Sequence, residues 1–362
     1  MAHKDRQAGV GRLFRAAVRL WGLSAPRRLP FFLRVAWRLW RAERRRRRAQ
    51  RRLGCPVPSV VAVSPTMRCT YACGGCYSRG RPTEDELSTE ELDYLLAEAE
   101  ELGVLAVVVT GGEPLLRPDL LDLCARHRRL LFVLITNGLL VTAQVARRLA
   151  RSGNAVTLVS AEGGPAATDR RRRPGAHAAA LRAFARLHEA GACFGFAAMA
   201  TAENAGQVAD DEFIGQMRRA GCSVGYITEY VPCGPAARTR WVLDATTRAR
   251  LRQRVLELRE REPMVLIQLP HDEYGPANRC LAAGRASLHV NAQGDVEPCP
   301  FVPLARHNVR QGGLVAACRC SFLRAIREHP TLLQRERYAC ALFEHREELL
   351  AVARQQGARP TA

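Results

Sequence analysis

From Pro56 onward, short apolar runs alternate with amphipathic ones. Ser59–Thr66 ("SVVAVSPT") is an apolar run of strand length. Ser88 and Glu91 then form a capping box for a helix reaching Leu102, with Gly103 as its stop. Val104–Thr110 is the next strand. Leu130–Thr136 and Ala155–Ser160 follow, with a helix over "TAQVARRLARSG" between them, and Ala192–Ala200 and Val224–Tyr230 complete six. Strands alternating with helices predict a parallel sheet. Pattern alone leaves an open doubly wound sheet and a barrel equally allowed. Further on, "ASLHVNAQGDVEPC" (Ala286–Cys299) reads as a hairpin that turns at Asn291–Asp295.

Ahead of Pro56 the period is helical. Phe32, Val35, Ala36, Leu39 and Trp40 share one face, and Arg34, Arg38, Arg41 and Arg45 another. Charge sharpens this picture. Residues 1–52 hold 17 Lys and Arg against Asp5 and Glu43, so +15 of the net +20 lies there and the other 310 residues carry +5. Three of the four tryptophans, Trp21, Trp37 and Trp40, lie in the same arm. A basic amphipathic helix with Trp and Phe is the composition of an interfacial membrane helix, and equally of a helix packed on its own domain with Arg44–Arg48 as a solvated run. Nucleic acid is the weaker partner, since no nucleic-acid fold accompanies the charge. No uncharged run in residues 1–52 exceeds the seven of Leu20–Pro26, which predicts neither a secretory signal nor a membrane span. Thirteen cysteines, an odd number, fit a reducing cytosol and thiolate metal ligands better than a disulfide framework.

The unusual residues fall where a parallel sheet places its site, at the carboxyl ends of its strands. Cys69 follows the first strand, Gly111-Gly112-Glu113-Pro114 the second, Asn137-Gly138 the third and Glu162-Gly163 the fourth. "MRCTYACGGCYSRG" (Met67–Gly80) spaces Cys69, Cys73 and Cys76 as C-x3-C-x2-C. Gly74-Gly75 argues against a helix that would bury them as an apolar stripe. A structural zinc site takes four ligands, and no His lies nearby. A dithiol redox motif would leave Cys69 idle. An iron–sulfur cube with three thiolates uses all three and leaves one iron open.

The cysteine motif, followed by Gly111–Pro114, resembles the signature of the radical S-adenosylmethionine (SAM) enzymes over roughly residues 59–230. The resemblance implies an α/β fold, a partial (β/α)6 TIM-like barrel. It implies that Cys69, Cys73 and Cys76 hold a [4Fe-4S] cluster whose open iron SAM chelates. By the same likeness Tyr71 and Tyr77 flank the cluster and adenine, Gly111, Gly112 and Glu113 receive the SAM amino group, and Ser160 and Glu162 contact the ribose. Asn204 and Glu229 are placed further along the cavity. The implied reaction is reductive cleavage of SAM to a 5′-deoxyadenosyl radical that abstracts hydrogen, fed by a low-potential donor of flavodoxin or ferredoxin type.

"NRCLAAGRASLHVNAQGDVEPCPF" (Asn278–Phe301) resembles the SPASM or twitch extension of such enzymes, a small α+β domain binding auxiliary clusters. Cys280, Cys299 and Cys340 match best as ligands of an auxiliary [4Fe-4S] cluster, with Cys318 as candidate fourth and Cys320 behind it. A full SPASM set has more cysteines, including a close pair that is not placed here, since Cys318-x-Cys320 is tighter than the usual C-x2-C. Cys124, Cys193 and Cys222 are read as small apolar core residues, and Cys55 and Cys233 have no assignment. The expected division is residues 1–52 as basic helical arm, 53–265 as barrel, 266–348 as auxiliary domain and 349–362 as tail. The expected substrate is anionic or membrane-borne, such as a lipid or isoprenoid, handled in the cytoplasm or on the membrane's inner face. A peptide or protein maturase is the second reading. A noncatalytic iron–sulfur sensor is a third, though a sensor needs no SAM site.

Overall fold

The computed structural model describes residues 29–274 and 278–362. Trp21 and the side chain of Phe32 lie outside the described residues. One long helix, α1 (Leu29–Leu53), leads into a parallel sheet: β1 (Val60–Val63), β2 (Ala106–Val109), β3 (Leu131–Thr136), β4 (Ala155–Ser160), β5 (Cys193–Ala200), β6 (Val224–Glu229) and β7 (Val265–Leu269). Between them run α2 (Thr89–Leu102), α3 (Leu120–Arg126), α4 (Ala143–Ser152), α5 (Pro165–Arg171), α6 (Ala176–Glu189), α7 (Asp211–Arg219) and α8 (Ala245–Arg261). The six strands expected from the apolar runs all form. The caps form too: Ser88 and Glu91 close their reciprocal box on α2, Gly103 ends it in the left-handed conformation, and Thr142 caps α4. Among the described residues no helix is long and apolar enough to cross a membrane.

The C-terminal segment adds α9 (His271–Tyr274), β8 (Ser287–Val290), β9 (Asp295–Glu297), β10 (Leu304–Ala305), β11 (His307–Asn308), α10 (Gly313–Cys318), α11 (Ser321–Glu328), α12 (Ala341–Glu344), α13 (Arg346–Gln355) and β12 (Arg359–Pro360). The hairpin turns at Asn291–Asp295 as expected but is not a sheet of its own. β8 pairs in parallel with β1, Val60 opposite Ser287 and Val63 opposite Val290, so the barrel sheet runs β11-β9-β8-β1-β2-β3-β4-β5-β6-β7. β7, which is not among the six expected strands although Met264–Leu269 is an apolar run, ends it on the far side. The sheet is an open, partial barrel.

Alternation along each strand sets two faces. Phe132 and Leu134 of β3 and Phe194 and Phe196 of β5 are buried outward against the helices, in one core with Leu95, Leu102, Leu123 and Phe184. Leu131, Val133 and Ile135 point the other way and line an internal cavity of about 1220 Å³. The base is covered by α1. Its Val35, Ala36 and Leu39 are half-buried and line the same cavity, while Arg38 donates to the Gly153 carbonyl at 3.2 Å and Arg46 to Val57 at 3.0 Å. Of the two readings left open for the apolar helix face, membrane or its own domain, Val35, Ala36 and Leu39 follow the second and pack on the barrel. A different strip, Leu33, Trp37 and Trp40, faces out at 58, 57 and 55% exposure. Periodicity finds an apolar stripe but cannot tell what covers it.

The segments are tied by Glu297, buried at the end of β9. It accepts from Arg81 at 2.7 Å, Asn291 at 3.2 Å and the Thr361 hydroxyl, and pairs with His289 at 2.7 Å. Breaking one partner of a buried ion pair strands the other charge and costs about 3–5 kcal/mol. Glu297→Gln and Arg81→Met are each expected to lower stability by about that amount, and the double variant by clearly less than the sum. Urea unfolding of the four proteins checks this; additive losses would mean that the two charges do not depend on each other.

Candidate functional site

The loop after β1 carries Cys69, Cys73 and Cys76, and all three line the cavity at the carboxyl ends of the strands. It is held from beneath by the loop after β2. Gly112 donates to the Thr66 carbonyl at 2.9 Å and Glu113 to Arg68 at 2.8 Å. A side chain at Gly112 would overlap the Arg68 carbonyl, and Gly111 has φ +101°. From the other side Gly74 donates to the Arg171 carbonyl of α5 at 2.9 Å.

Glu113 is buried at the cavity wall. Its carboxylate accepts from Thr136 Oγ1 at 2.8 Å, Asn137 N at 2.8 Å and Leu115 N at 3.1 Å. Burial outweighs these donors and pushes its carboxyl above the ordinary range. A carboxylate offers about four acceptor sites, so one remains for a further donor from the cavity. Tyr71 lines the cavity beside Arg173, 5.4 Å from its ring. Tyr77 also lines it, but its hydroxyl is occupied: it accepts from Gly111 N at 2.9 Å and meets Thr110 Oγ1 at 3.0 Å, so it props the glycine loop.

Ser160, at the end of β4, faces the cavity. Glu162 does not. Its Oε1 takes Arg171 Nη1 at 2.5 Å and Arg172 Nε at 2.8 Å, and its Oε2 takes Met199 N at 2.8 Å. Burial opposes its charge, but the two guanidiniums and this N–H hold it below the usual carboxylate range. What faces the cavity here is Arg171 and Arg172, missed in the sequence although the run Arg170–Arg173 stands eight residues past Glu162. Asn204 is likewise turned inward. It accepts from Thr201 N at 2.7 Å and donates to the Glu162 and Met199 carbonyls at 3.1 and 3.0 Å, latching the β5 loop without reaching the cavity wall. Glu229 does reach it, with Arg248 Nε at 2.8 Å.

Cys280, Cys299 and Cys340 line the same cavity from the C-terminal segment and lie within electrostatic reach of one another. Burial raises all three thiols, Cys340 to about 11. Glu273 lies among them, its carboxyl raised by burial to about 7, and Cys233 is within electrostatic reach of both Cys340 and Cys76. Neither had been singled out as a site residue, because only folding brings α9 and the loop after β6 here. Cys318 is not brought to the trio. It ends α10 beside Cys55 and Arg327, where α10 packs on α2 through Leu314 N and Glu98 at 2.7 Å. Cys320 is near Arg327 as well. Cys124 and Cys222 are buried as small core residues, whereas Cys193 lines the cavity.

Among the described residues no three His, Cys, Asp or Glu side chains converge closely enough to share one metal ion. Two thiol trios spread around a cavity suit a cluster instead, since a cube distributes its thiolates over several irons.

The family model of the radical SAM superfamily matches residues 63–211. The chain is 27% identical over 286 residues to the AdoMet-dependent heme synthase of Nitratidesulfovibrio vulgaris, covering 71% of this chain and 77% of that protein. It is 30% identical over 263 residues to the mycofactocin maturase MftC of Mycobacterium ulcerans, covering 68% and 70%. The structure of Streptococcus suis SuiB bound to the precursor peptide SuiA superposes with a TM-score of 0.65 at 18% identity, over 80% of this chain and 71% of that one, a likeness of fold. The chain belongs to the radical SAM superfamily: it is an enzyme that uses SAM and a [4Fe-4S] cluster.

Proposed function

We propose that this enzyme cleaves SAM at a cluster held by Cys69, Cys73 and Cys76 and abstracts hydrogen from a membrane-borne or anionic substrate such as a lipid or isoprenoid. One observation carries the reading: these thiols, Glu113, Ser160 and the Arg171–Arg172 pair line one cavity. Bound together, cluster and SAM supply an electron and a 5′-deoxyadenosyl radical. The chain's part is to bind and orient. Glu113 offers its remaining acceptor site to the SAM amino group at the Gly111–Gly112 edge, and Ser160 offers a hydroxyl to the ribose. Tyr71 flanks the cluster side. Arg171 and Arg172, fixed by Glu162, offset the negative charge of a thiolate-bound cluster. Cys280, Cys299 and Cys340 hold the auxiliary cluster, and a low-potential flavodoxin- or ferredoxin-type donor supplies electrons.

The outward strip Leu33, Trp37 and Trp40 supports the membrane-borne substrate. Arg41 lies 4.7 Å from the Trp37 ring and Arg44 4.8 Å from Trp40, which suits an interface with acidic headgroups. The second reading is a peptide or protein maturase. The relative named mycofactocin maturase favours it, as does the fold shared with SuiB bound to its precursor peptide.

Anaerobically reconstituted protein is expected to hold about eight iron per chain, from two [4Fe-4S] clusters, and the Cys69/Cys73/Cys76→Ala variant about four. Full iron in that variant would show that the cluster sits elsewhere.

Glu113→Gln is expected to keep its iron but bind SAM about ten- to a hundredfold more weakly, the worth of a hydrogen bond to a charged group. Equilibrium dialysis with labelled SAM reads this, and unchanged affinity removes Glu113 from the amino-group site.

Leu33→Ala/Trp37→Ala/Trp40→Ala is expected to lose co-sedimentation with anionic vesicles while the parent's binding weakens, but persists, at high salt. Basic residues contribute about 1 kcal/mol each and are screened beyond about 8 Å, whereas the apolar strip is salt-insensitive. Equal partitioning of parent and variant would leave the strip without a membrane role.

A further inference from the structure

The cavity does not stop at the thiols. It continues down the inner face of the sheet to the first or second residues of the strands, Val60, Ala106, Leu131, Val156, Val224 and Val265, and ends at α1. A full eight-stranded barrel fills this space with layers of bulky side chains. Here the sheet is open and its wall carries small groups such as Ala62, Ala106 and Ala197, so the lumen stays unfilled.

Charge on the wall is sorted by height. Among the described residues every charged side chain lining the cavity, from Arg68 to Glu273, belongs to the carboxyl end of a strand or to the loop or short helix beyond it. The lower wall is hydrocarbon with a few neutral groups. A polypeptide there would leave backbone N–H and C=O groups facing methyls, at the full cost of desolvation. Apolar cavities also hold water poorly.

Trp40 joins this lumen to the outer surface. It lines the cavity and is 55% exposed, in the same strip as Leu33 and Trp37 and beside Arg44. The base of the lumen therefore lies next to the surface best suited to an anionic membrane.

We propose that the lumen takes the hydrocarbon chain of a lipid-type substrate, which enters at the base past α1 and extends up toward the thiol end. The proposal rests on the membrane-borne reading of the substrate and names where its chain lies. It makes Val35, Ala36 and Leu39 part of the substrate wall, and the lower strand residues the measure of chain length.

The test uses a palmitate analogue carrying a diazirine near its methyl end, irradiated with full-length reconstituted protein and mapped by peptide mass spectrometry. Adducts are expected on α1 and the lower strand segments, around Val35, Leu39, Val156 and Val224. Adducts confined to Leu33 and Trp37, or none, would overturn the proposal. Independently, Val156→Trp, at the foot of β4 and away from the SAM-end groups, is expected to weaken binding of a fluorescent palmitate about tenfold. Its release of 5′-deoxyadenosine without substrate should match the parent. Undiminished probe binding in that variant counts against the lumen. Parent protein that releases no 5′-deoxyadenosine counts against the enzymatic reading alone, since cross-linking needs no SAM chemistry.

Discussion

The site depends on one buried carboxylate. Glu297 has no exposed surface, and the groups around it come from four parts of the chain: Arg81 past the cysteine loop, His289 on β8, Asn291 in the hairpin turn and Thr361 near the C-terminus. His289 in turn meets Ser64 at 2.8 Å, at the end of β1. A charge in such a place is tolerable only when paired and hydrogen-bonded. The hairpin seated against β1 and the segment just past the cysteine loop are therefore tied through one carboxylate. Across that tie, Cys280, Cys299 and Cys340 line the same cavity as Cys69, Cys73 and Cys76.

Two acids that stand alike in sequence do opposite work. Glu113 and Glu162 each follow a strand of the parallel sheet, and a motif-level reading gives both to SAM. Glu113 meets only neutral donors and burial raises its carboxyl, so acceptor capacity is left facing the cavity. Glu162 is saturated by Arg171, Arg172 and Met199 N and stays ionised. Its effect on the cavity passes through the guanidiniums it fixes. Removing it would leave two buried cations uncompensated, a different defect from the loss of a ribose contact.

What was legible in the sequence was local. Apolar runs gave six strands to within a few residues, because a buried parallel strand is apolar on both faces. Ser88, Glu91, Gly103 and Thr142 marked helix ends whose chemistry lies within one turn. What was not legible required distance in space. The pairing of β8 with β1 joins segments more than two hundred residues apart. Cys318 lies 19 residues past Cys299, the same interval that separates Cys280 from Cys299, yet α10 carries it onto α2. Arg171 and Arg172 stood close to Glu162 in sequence, but only the fold of α5 makes that acid their counter-ion.

The basic arm shows that composition and periodicity find a helix surface without telling what covers it. Its charge suggests an appendage, yet α1 is built into the fold. Ala42 and Ala49 are buried, and the backbone of α1 presses so closely on Gly103 that a Cβ there would overlap Ala42 and Arg46. One face of the helix closes the lumen with Val35, Ala36 and Leu39, while another leaves Leu33 and Trp37 in solvent, with Trp40 between the two. Loss of the arm would uncover the apolar wall of the barrel as well as remove a basic surface. Trp40 belongs to both surfaces at once, lining the cavity and meeting solvent.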